Sequence, residues 1–171
     1  MKYKQRKQYR LPHYNYASSG LYFVTICSYN RENIFSEVKQ GNIHLLTVGE
    51  YILECLTNLP EKLSYVRIDE FVIMPNHIHV IFGIDNPGED VSIKTMKFQP
   101  EKKSLSIVVR NFKSTVTLLS RENYPEMKIW QSRFYDRIIR SEQELQNVRK
   151  YIQDNPLRWE ADKNNPENMM M

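Results

Sequence analysis

Two of the chain's four histidines sit two positions apart, in Met74-Pro75-Asn76-His77-Ile78-His79-Val80-Ile81. On an extended strand, side chains i and i+2 leave the same face, so His77 and His79 would stand side by side while Ile78 points into a core. Neutral imidazole is a common metal ligand, and a same-face pair is half of a metal site. A half-exposed strand that merely tolerates two histidines has the same spacing. The second grouping is Tyr151-Ile152-Gln153-Asp154-Asn155-Pro156. Tyr151 and Asn155, four residues apart, share one face of a helix. Tyr151 offers a phenol oxygen as nucleophile, and Asn155 offers an amide oxygen suited to a hard cation such as Mg²⁺ or Mn²⁺. A cation held by two imidazoles and one amide oxygen keeps positions open for a phosphate oxygen. The plainer alternative is a tyrosine resting against a sheet and an asparagine ending a helix. His13 and His44 lack such company and read as ordinary surface or core histidines.

These side chains need elements to hold them. Leu21 to Cys27 is rich in β-branched and aromatic residues and reads as a strand buried on both faces. After the Gly41-Asn42 turn comes a short extended piece over 43–46. Thr47, with Glu50 three residues on, forms the pattern of a capping box. The helix behind it carries Val48, Tyr51, Ile52, Cys55, Leu56 and Leu59 on one stripe, with Pro60 near its end. A strand over 65–74, the Pro75-Asn76 turn and a strand over 77–84 make a hairpin, although Pro-Asn is not the usual primed-turn pair. Residues 85–103 are polar and predict a mobile loop. Ser104 or Ser106 can cap a second amphipathic helix through Leu119. A fourth strand is expected over 130–139. Ser141 and Glu144 then open a last helix, which Pro156 stops. Strand, helix, hairpin, helix, strand, helix is an α+β order. Its βαββαβ core is ferredoxin-like, an antiparallel sheet with helices on one face, followed by a C-terminal helix that carries Tyr151.

Composition agrees with one globular domain. The chain has 171 residues, 41% hydrophobic and 26% charged, which excludes collagen-like and wholly disordered classes. No apolar run approaches a membrane span, and the N-terminus lacks a signal-peptide core. Cys27 and Cys55 show no metal or redox spacing and are expected as reduced, small hydrophobes. The expected location is therefore cytoplasmic. Net charge is +4, but Lys4, Arg6, Lys7 and Arg10 precede the first acid, Glu32. Such an arm suits a polyanion, nucleic acid above all; a solvated, frayed terminus would look the same. Arg110 with Lys113, and Arg133, Arg137 and Arg140, are further candidates for phosphate contacts.

Five segments in order resemble those of single-tyrosine insertion-sequence transposases, in particular the REP-associated tyrosine transposases, within the His-hydrophobic-His class of single-strand DNA endonucleases. They are the His77–His79 segment and the Tyr151 segment already quoted, with Tyr22-Phe23-Val24-Thr25-Ile26-Cys27, Val108-Val109-Arg110-Asn111-Phe112-Lys113-Ser114, and Trp130 through Arg140. The resemblance covers about residues 14–160. It implies a domain over 14–160 between a basic arm, 1–13, and a frayed tail, 161–171. It also implies the same ferredoxin-like sheet.

In chemistry, the resemblance implies that His77 and His79 hold a divalent metal, Mg²⁺ or Mn²⁺. Tyr151 attacks single-stranded DNA to leave a 5′-phosphotyrosine and a free 3′-OH. Asn155 stands where insertion-sequence relatives often carry a glutamine as third ligand, and is one methylene shorter. A phenol has an ordinary pKa of about 10, so it needs activation, which a metal on the scissile phosphate assists. Asp154, Gln153 or a water are the candidates for a general base. Tyr135, in an aromatic-rich strand, is the rival nucleophile. The expected function is transposition or processing of hairpin-forming repeats, by a monomer or homodimer associated with the nucleoid. The alternatives are a DNA-binding protein on the same scaffold that no longer cuts, and a single-stranded RNA-binding module. An RNA reader would need an exposed aromatic submotif on its central strands, absent here, and would have no use for the histidine–tyrosine trio.

Overall fold

Alternating side chains in the first strand set up both faces of the molecule. In the computed structural model, residues 18–86 and 103–161 are described. The basic arm, most of the expected loop and the tail lie outside them. Strand β1 (Gly20–Cys27) buries Tyr22, Val24 and Ile26 completely on one face and turns Leu21, Phe23 and Thr25 to the other. It lies between β5 (His77–Ile84) and β6 (Tyr135–Ile139), and β4 (Val66–Met74) flanks β5. The order β4-β5-β1-β6 is antiparallel throughout. Helices α1 (Thr47–Lys62) and α2 (Leu105–Ser120) cover one face, where Ile52, Leu56, Val108 and Phe112 meet Val24, Val80 and Phe82. Helix α3 (Glu142–Asp154) brings Leu145, Val148 and Ile152 against Val72, Met74 and Ile81 on the other face. Central β5 is thus buried at every position. This is the expected βαββαβ core with an added C-terminal helix. Among the described residues, no helix is long and apolar enough to cross a membrane.

Several details differ from the sequence reading. An extra two-stranded hairpin, β2 (Ser36–Lys39) with β3 (Asn42–Leu45), precedes α1. Its turn places Gln40 and Gly41 at φ 52° and 74°, the left-handed pair that a tight hairpin favours. The capping box at Thr47 does not form. Leu46 occupies the cap, and its N–H donates to the Phe35 carbonyl at 3.0 Å. Gly49 permits this approach, since a Cβ there would lie 2.0 Å from the same carbonyl oxygen. Pro60 lies near the end of α1, in its last turn, as the sequence indicates. The expected strand over 130–139 is shorter. Trp130 makes an isolated bridge to Ser28, and regular pairing begins only at Tyr135. At α3 the capping box is real: Ser141 Oγ accepts from the Glu144 N–H at 3.2 Å. Glu144 reaches back to the Arg140 N–H at 3.0 Å.

One irregularity ties α3 to the sheet. Ile68 pairs with Phe82 but Phe71 pairs with Val80, so β4 carries one extra residue at Asp69-Glu70. Such a bulge shifts the side-chain alternation by one. Ile68 and Phe71 therefore pack on the same core. The bulged acids meet α3: Arg149 donates to both Asp69 oxygens at 2.7 Å, and Gln153 Nε2 donates to Glu70 at 3.1 Å. A bidentate guanidinium–carboxylate pair fixes direction as well as distance.

Candidate active site

The site begins at the Pro75-Asn76 turn. Neither residue has the positive φ of a primed hairpin turn. Neighbouring chain holds the turn instead: the Phe35 N–H donates to the Pro75 carbonyl at 3.0 Å and the Ser28 N–H to the Asn76 carbonyl at 2.9 Å. Beyond it, His77 and His79 leave β5 on the α3 face, with ring centroids 4.6 Å apart. Both are buried, with 1% and 4% of their surface exposed. Their Nε2 atoms converge to 3.1 Å. Their Nδ1 atoms point outward, His77 to Asn76 Oδ1 at 2.9 Å and His79 to Thr25 Oγ1 at 2.8 Å. Burial, with a smaller push from the Arg31 charge, lowers the His77 pKa to about 4. His77 is therefore neutral at pH 7, the form that ligates metals.

Helix α3 brings Tyr151 to the pair. Its Oη lies 3.4 Å from His79 Nε2, and its ring meets His79 and Phe23 at 5.2 and 6.0 Å between centroids. The ring is 41% exposed, so a large substrate can reach the oxygen. An open cleft of about 610 Å³ borders it, lined by Phe23, Arg137, Ser141, Glu144, Asn147 and Tyr151 among others. One turn on, Asn155 is buried, and its Nδ2 donates to the Tyr151 carbonyl at 3.3 Å. Its Oδ1 has no hydrogen-bond partner among the described residues. A buried, unsatisfied amide oxygen asks for a ligand.

These donors fit a divalent cation. Two imidazole nitrogens converge, a buried amide oxygen is unsatisfied, and a phenol oxygen stands beside them. Among the described residues no cluster of three His, Cys, Asp or Glu exists, so further oxygens would come from Asn155, substrate or water. Cys27 lies opposite His77 in the β1–β5 register, but burial raises its thiol pKa and keeps it neutral. Burial raises Cys55 likewise, to about 11. Both are free thiols.

The basic candidates fall in different places. Arg137 borders the cleft beside Tyr151, its Nε 2.7 Å from Glu144 Oε1. Arg133 and Tyr135 line a second groove with Tyr29 and Lys128, on the edge-strand side. Arg140 is exposed at the start of α3, and Arg110 is exposed on α2. Lys113 Nζ donates to the Gln131 carbonyl at 2.5 Å and lies over the Trp130 ring, tying α2 to the segment before β6. Lys4, Arg6, Lys7 and Arg10 lie outside the described residues.

Four residues at the site went unread in the sequence: Thr25 and Asn76 behind the histidines, and Asp69 and Arg149 behind the tyrosine helix. Asp69 left a trace, because the apolar positions of β4 change parity across it. The pairing of Asp69 with Arg149, 80 positions apart, leaves no such trace.

Comparison with known proteins places this geometry in a family. A chain of Haemophilus influenzae with no characterised function is 38% identical over 164 residues, covering 92% of this chain and 91% of that one. A second chain of the same organism, described as a REP-associated tyrosine transposase, is 24% identical, with 84% of this chain and 74% of that one aligned. The fold matches a solved REP-associated tyrosine transposase bound to a REP hairpin, with a TM-score of 0.57 and 19% identity over 92% of this chain and 74% of that one. The sequence profile described as Transposase IS200 like matches residues 17–155, most of the chain, and the protein belongs to that IS200-like transposase family.

Proposed function

We propose that the protein is a single-strand DNA endonuclease and strand transferase acting at hairpin-forming repeats of the REP type. In this reading Tyr151 is the nucleophile, and His77, His79 and Asn155 hold a Mg²⁺ or Mn²⁺ ion. The observation that carries it is Tyr151 Oη, half-exposed and 3.4 Å from His79 Nε2. A bound divalent cation supplies Lewis-acid polarisation of the scissile phosphate. Tyr151 Oη attacks phosphorus, forming the P–Oη bond as the P–O3′ bond breaks. The leaving 3′-oxygen takes up a proton, and the phenol proton passes to water reaching the half-exposed ring. The fragment 3′ of the cut stays on Tyr151 through its 5′-phosphate, and a second 3′-OH reverses the step and joins strands. Arg137 would meet phosphate in the cleft. The arm with Lys4, Arg6, Lys7 and Arg10 would meet the hairpin, and Arg110, Lys113, Arg133 and Arg140 would be weaker contacts. With α3 packed on its own chain's sheet, Tyr151 would serve the same copy's histidines, in a monomer or a homodimer. A protein acting on such repeats would be associated with the nucleoid.

Covalent trapping tests this. Wild type and Tyr151→Phe are incubated with labelled hairpin DNA from the gene's own flanks, with Mn²⁺ or with EDTA, and run on a denaturing gel. An adduct requiring both metal and Tyr151 is expected. An adduct that persists in the Phe variant would move the nucleophile, with Tyr135 next to test. Retention on a native gel without any adduct would replace cutting by binding alone.

A further inference from the structure

The two histidines are held by different kinds of partner. Asn76, fully buried, donates from Nδ2 to the Arg31 carbonyl at 3.2 Å. A carbonyl only accepts, so this contact fixes which way the amide faces. Its Oδ1 then meets His77 Nδ1 at 2.9 Å and must receive a hydrogen there. His77 therefore carries its proton on Nδ1 and presents a bare lone pair on Nε2. The backbone supplying that carbonyl is strained. Asn30 and Arg31 both have positive φ, 52° and 57°, and neither is glycine. Single left-handed residues of this kind persist where their surroundings over-determine them, often at functional sites. Here Ser28 does so: its hydroxyl donates to the Glu32 carbonyl at 2.8 Å and its N–H to the Asn76 carbonyl at 2.9 Å.

His79 Nδ1 meets a hydroxyl rather than an amide oxygen. Thr25 Oγ1, 2.8 Å from its Nδ1, can donate or accept by rotating its hydroxyl. The 3.1 Å contact between the two Nε2 atoms decides the resting state. His77 Nε2 is bare, so the contact is favourable only if His79 Nε2 carries a proton; two lone pairs at that distance would repel. In a neutral His79 ring, Thr25 then donates to Nδ1. For both Nε2 atoms to face a cation, the His79 proton must sit on Nδ1 and Thr25 must turn to accept it.

We propose that Asn76 and Thr25 are unequal positioning residues, Asn76 fixing the His77 tautomer permanently and Thr25 letting His79 exchange tautomers as a cation binds. The exchange rests on the metal reading above, whereas the His77 lock does not. An adjustable second ligand lets the pair be satisfied both with and without a cation, at a place where buried unpaired nitrogens would otherwise be costly.

Nitrogen-15 NMR of the histidine side chains in the full-length protein tests both halves, with Zn²⁺ as a diamagnetic probe. Without metal, His77 should show Nδ1–H and His79 Nε2–H; saturating Zn²⁺ should convert His79 alone to Nδ1–H. Asn76→Ala should mix the His77 tautomers and weaken Zn²⁺ binding about 10- to 100-fold. Asn76→Asp, which still accepts from Nδ1, should restore the His77 signature. Thr25→Val should weaken Zn²⁺ binding with the His77 tautomer unchanged, and Thr25→Ser should rescue it. Metal-free His77 found as Nε2–H, or both rings already Nδ1–H, would overturn the proposal. Metal-free tautomers as expected but blind to Zn²⁺ would overturn the exchange and the metal reading together, with the Asn76 lock intact.

Discussion

On β5, Ile78, Val80, Phe82 and Ile84 face α1 and α2 in a core whose buried members are almost all hydrocarbon. From the same strand, His77, His79 and Ile81 face α3, where apolar packing by Ile81, Val148 and Ile152 gives way to buried imidazole and amide groups. One alternation thus feeds two layers of different character. The first excludes water and needs few hydrogen bonds between side chains. The second buries polar atoms, and buried polar atoms are tolerable only when partnered. Asn76 and Thr25 partner the two imidazoles, Asp69 and Arg149 partner each other, and Asn155 Oδ1 is left over. Under the proposed function, chemistry falls on one side of the sheet and the apolar core on the other, and the two should be separable by mutation.

The largest separation is expected at Tyr151. Tyr151→Phe should lower DNA cleavage by at least about 10⁴-fold, as losses of covalent nucleophiles do. Its thermal midpoint should stay near wild type, because the hydroxyl's contact with the protein is long and half-exposed. A large drop in the midpoint would show that the tyrosine holds the fold. Phe112→Ala is the mirror experiment. That ring is fully buried between α2 and the sheet, so its removal should cost ~3–5 kcal/mol in denaturant unfolding. Cleavage per folded molecule should be unchanged. A loss of turnover in the folded fraction would mean the two faces are coupled.

A finer separation concerns the clamp between β4 and α3. Asp69→Asn or Arg149→Gln should slow cleavage by up to about 100-fold, because small displacements of a nucleophile are costly in rate. DNA affinity should not change, and the double variant should be no worse than either single one. Additive losses would show that the two residues act separately. The hydrogen bonds from Arg149 hold the Asp69 pKa below its ordinary value of 3.8, against an opposing effect of burial. The unfolded chain therefore takes up that proton first as pH falls. The clamp's contribution is complete above the ordinary carboxylate pKa and disappears as pH drops through the lowered folded value. Arg149→Gln should flatten this part of the acid-unfolding curve.

How much of this could be read from the residues depends on the range of the interaction. His77 and His79 were legible because a strand repeats every two residues, and Tyr151 with Asn155 because a helix returns every four. The βαββαβ order followed from such local periods. Strand β2 was not legible, since Ser36-Glu37-Val38-Lys39 offers a single apolar residue, too few to show an alternation. Trp130 and Phe134 extended the fourth strand too far. They pack on the core from a segment outside the regular sheet, which alternation alone does not distinguish from pairing. Thr47 looked like a cap, but the Phe35 carbonyl, brought close beside Gly49, settled the start of α1. The partners of His77, His79 and the tyrosine helix are fixed by contacts between elements, and those carry no period.

The smallest expected effect lies at the rim of the second layer. The Arg137 side chain is 70% exposed beside the Tyr151 cleft, and Glu144 competes for its charge at 2.7 Å. An exposed ion pair of this kind adds little to stability, so Arg137→Gln should leave the thermal midpoint nearly unchanged. If Arg137 meets a phosphate, the same change should weaken single-stranded DNA binding a few-fold. It should also reduce the slope of log affinity against log salt by about one phosphate contact. Glu144→Gln should act oppositely, strengthening binding at low salt by freeing the guanidinium, while its amide oxygen can still accept from the Arg140 N–H. Equal salt slopes in wild type and both variants would take Arg137 out of the DNA path. Under the proposed function, the scissile phosphate's charge would then be met by the cation at His77 and His79 without help from Arg137.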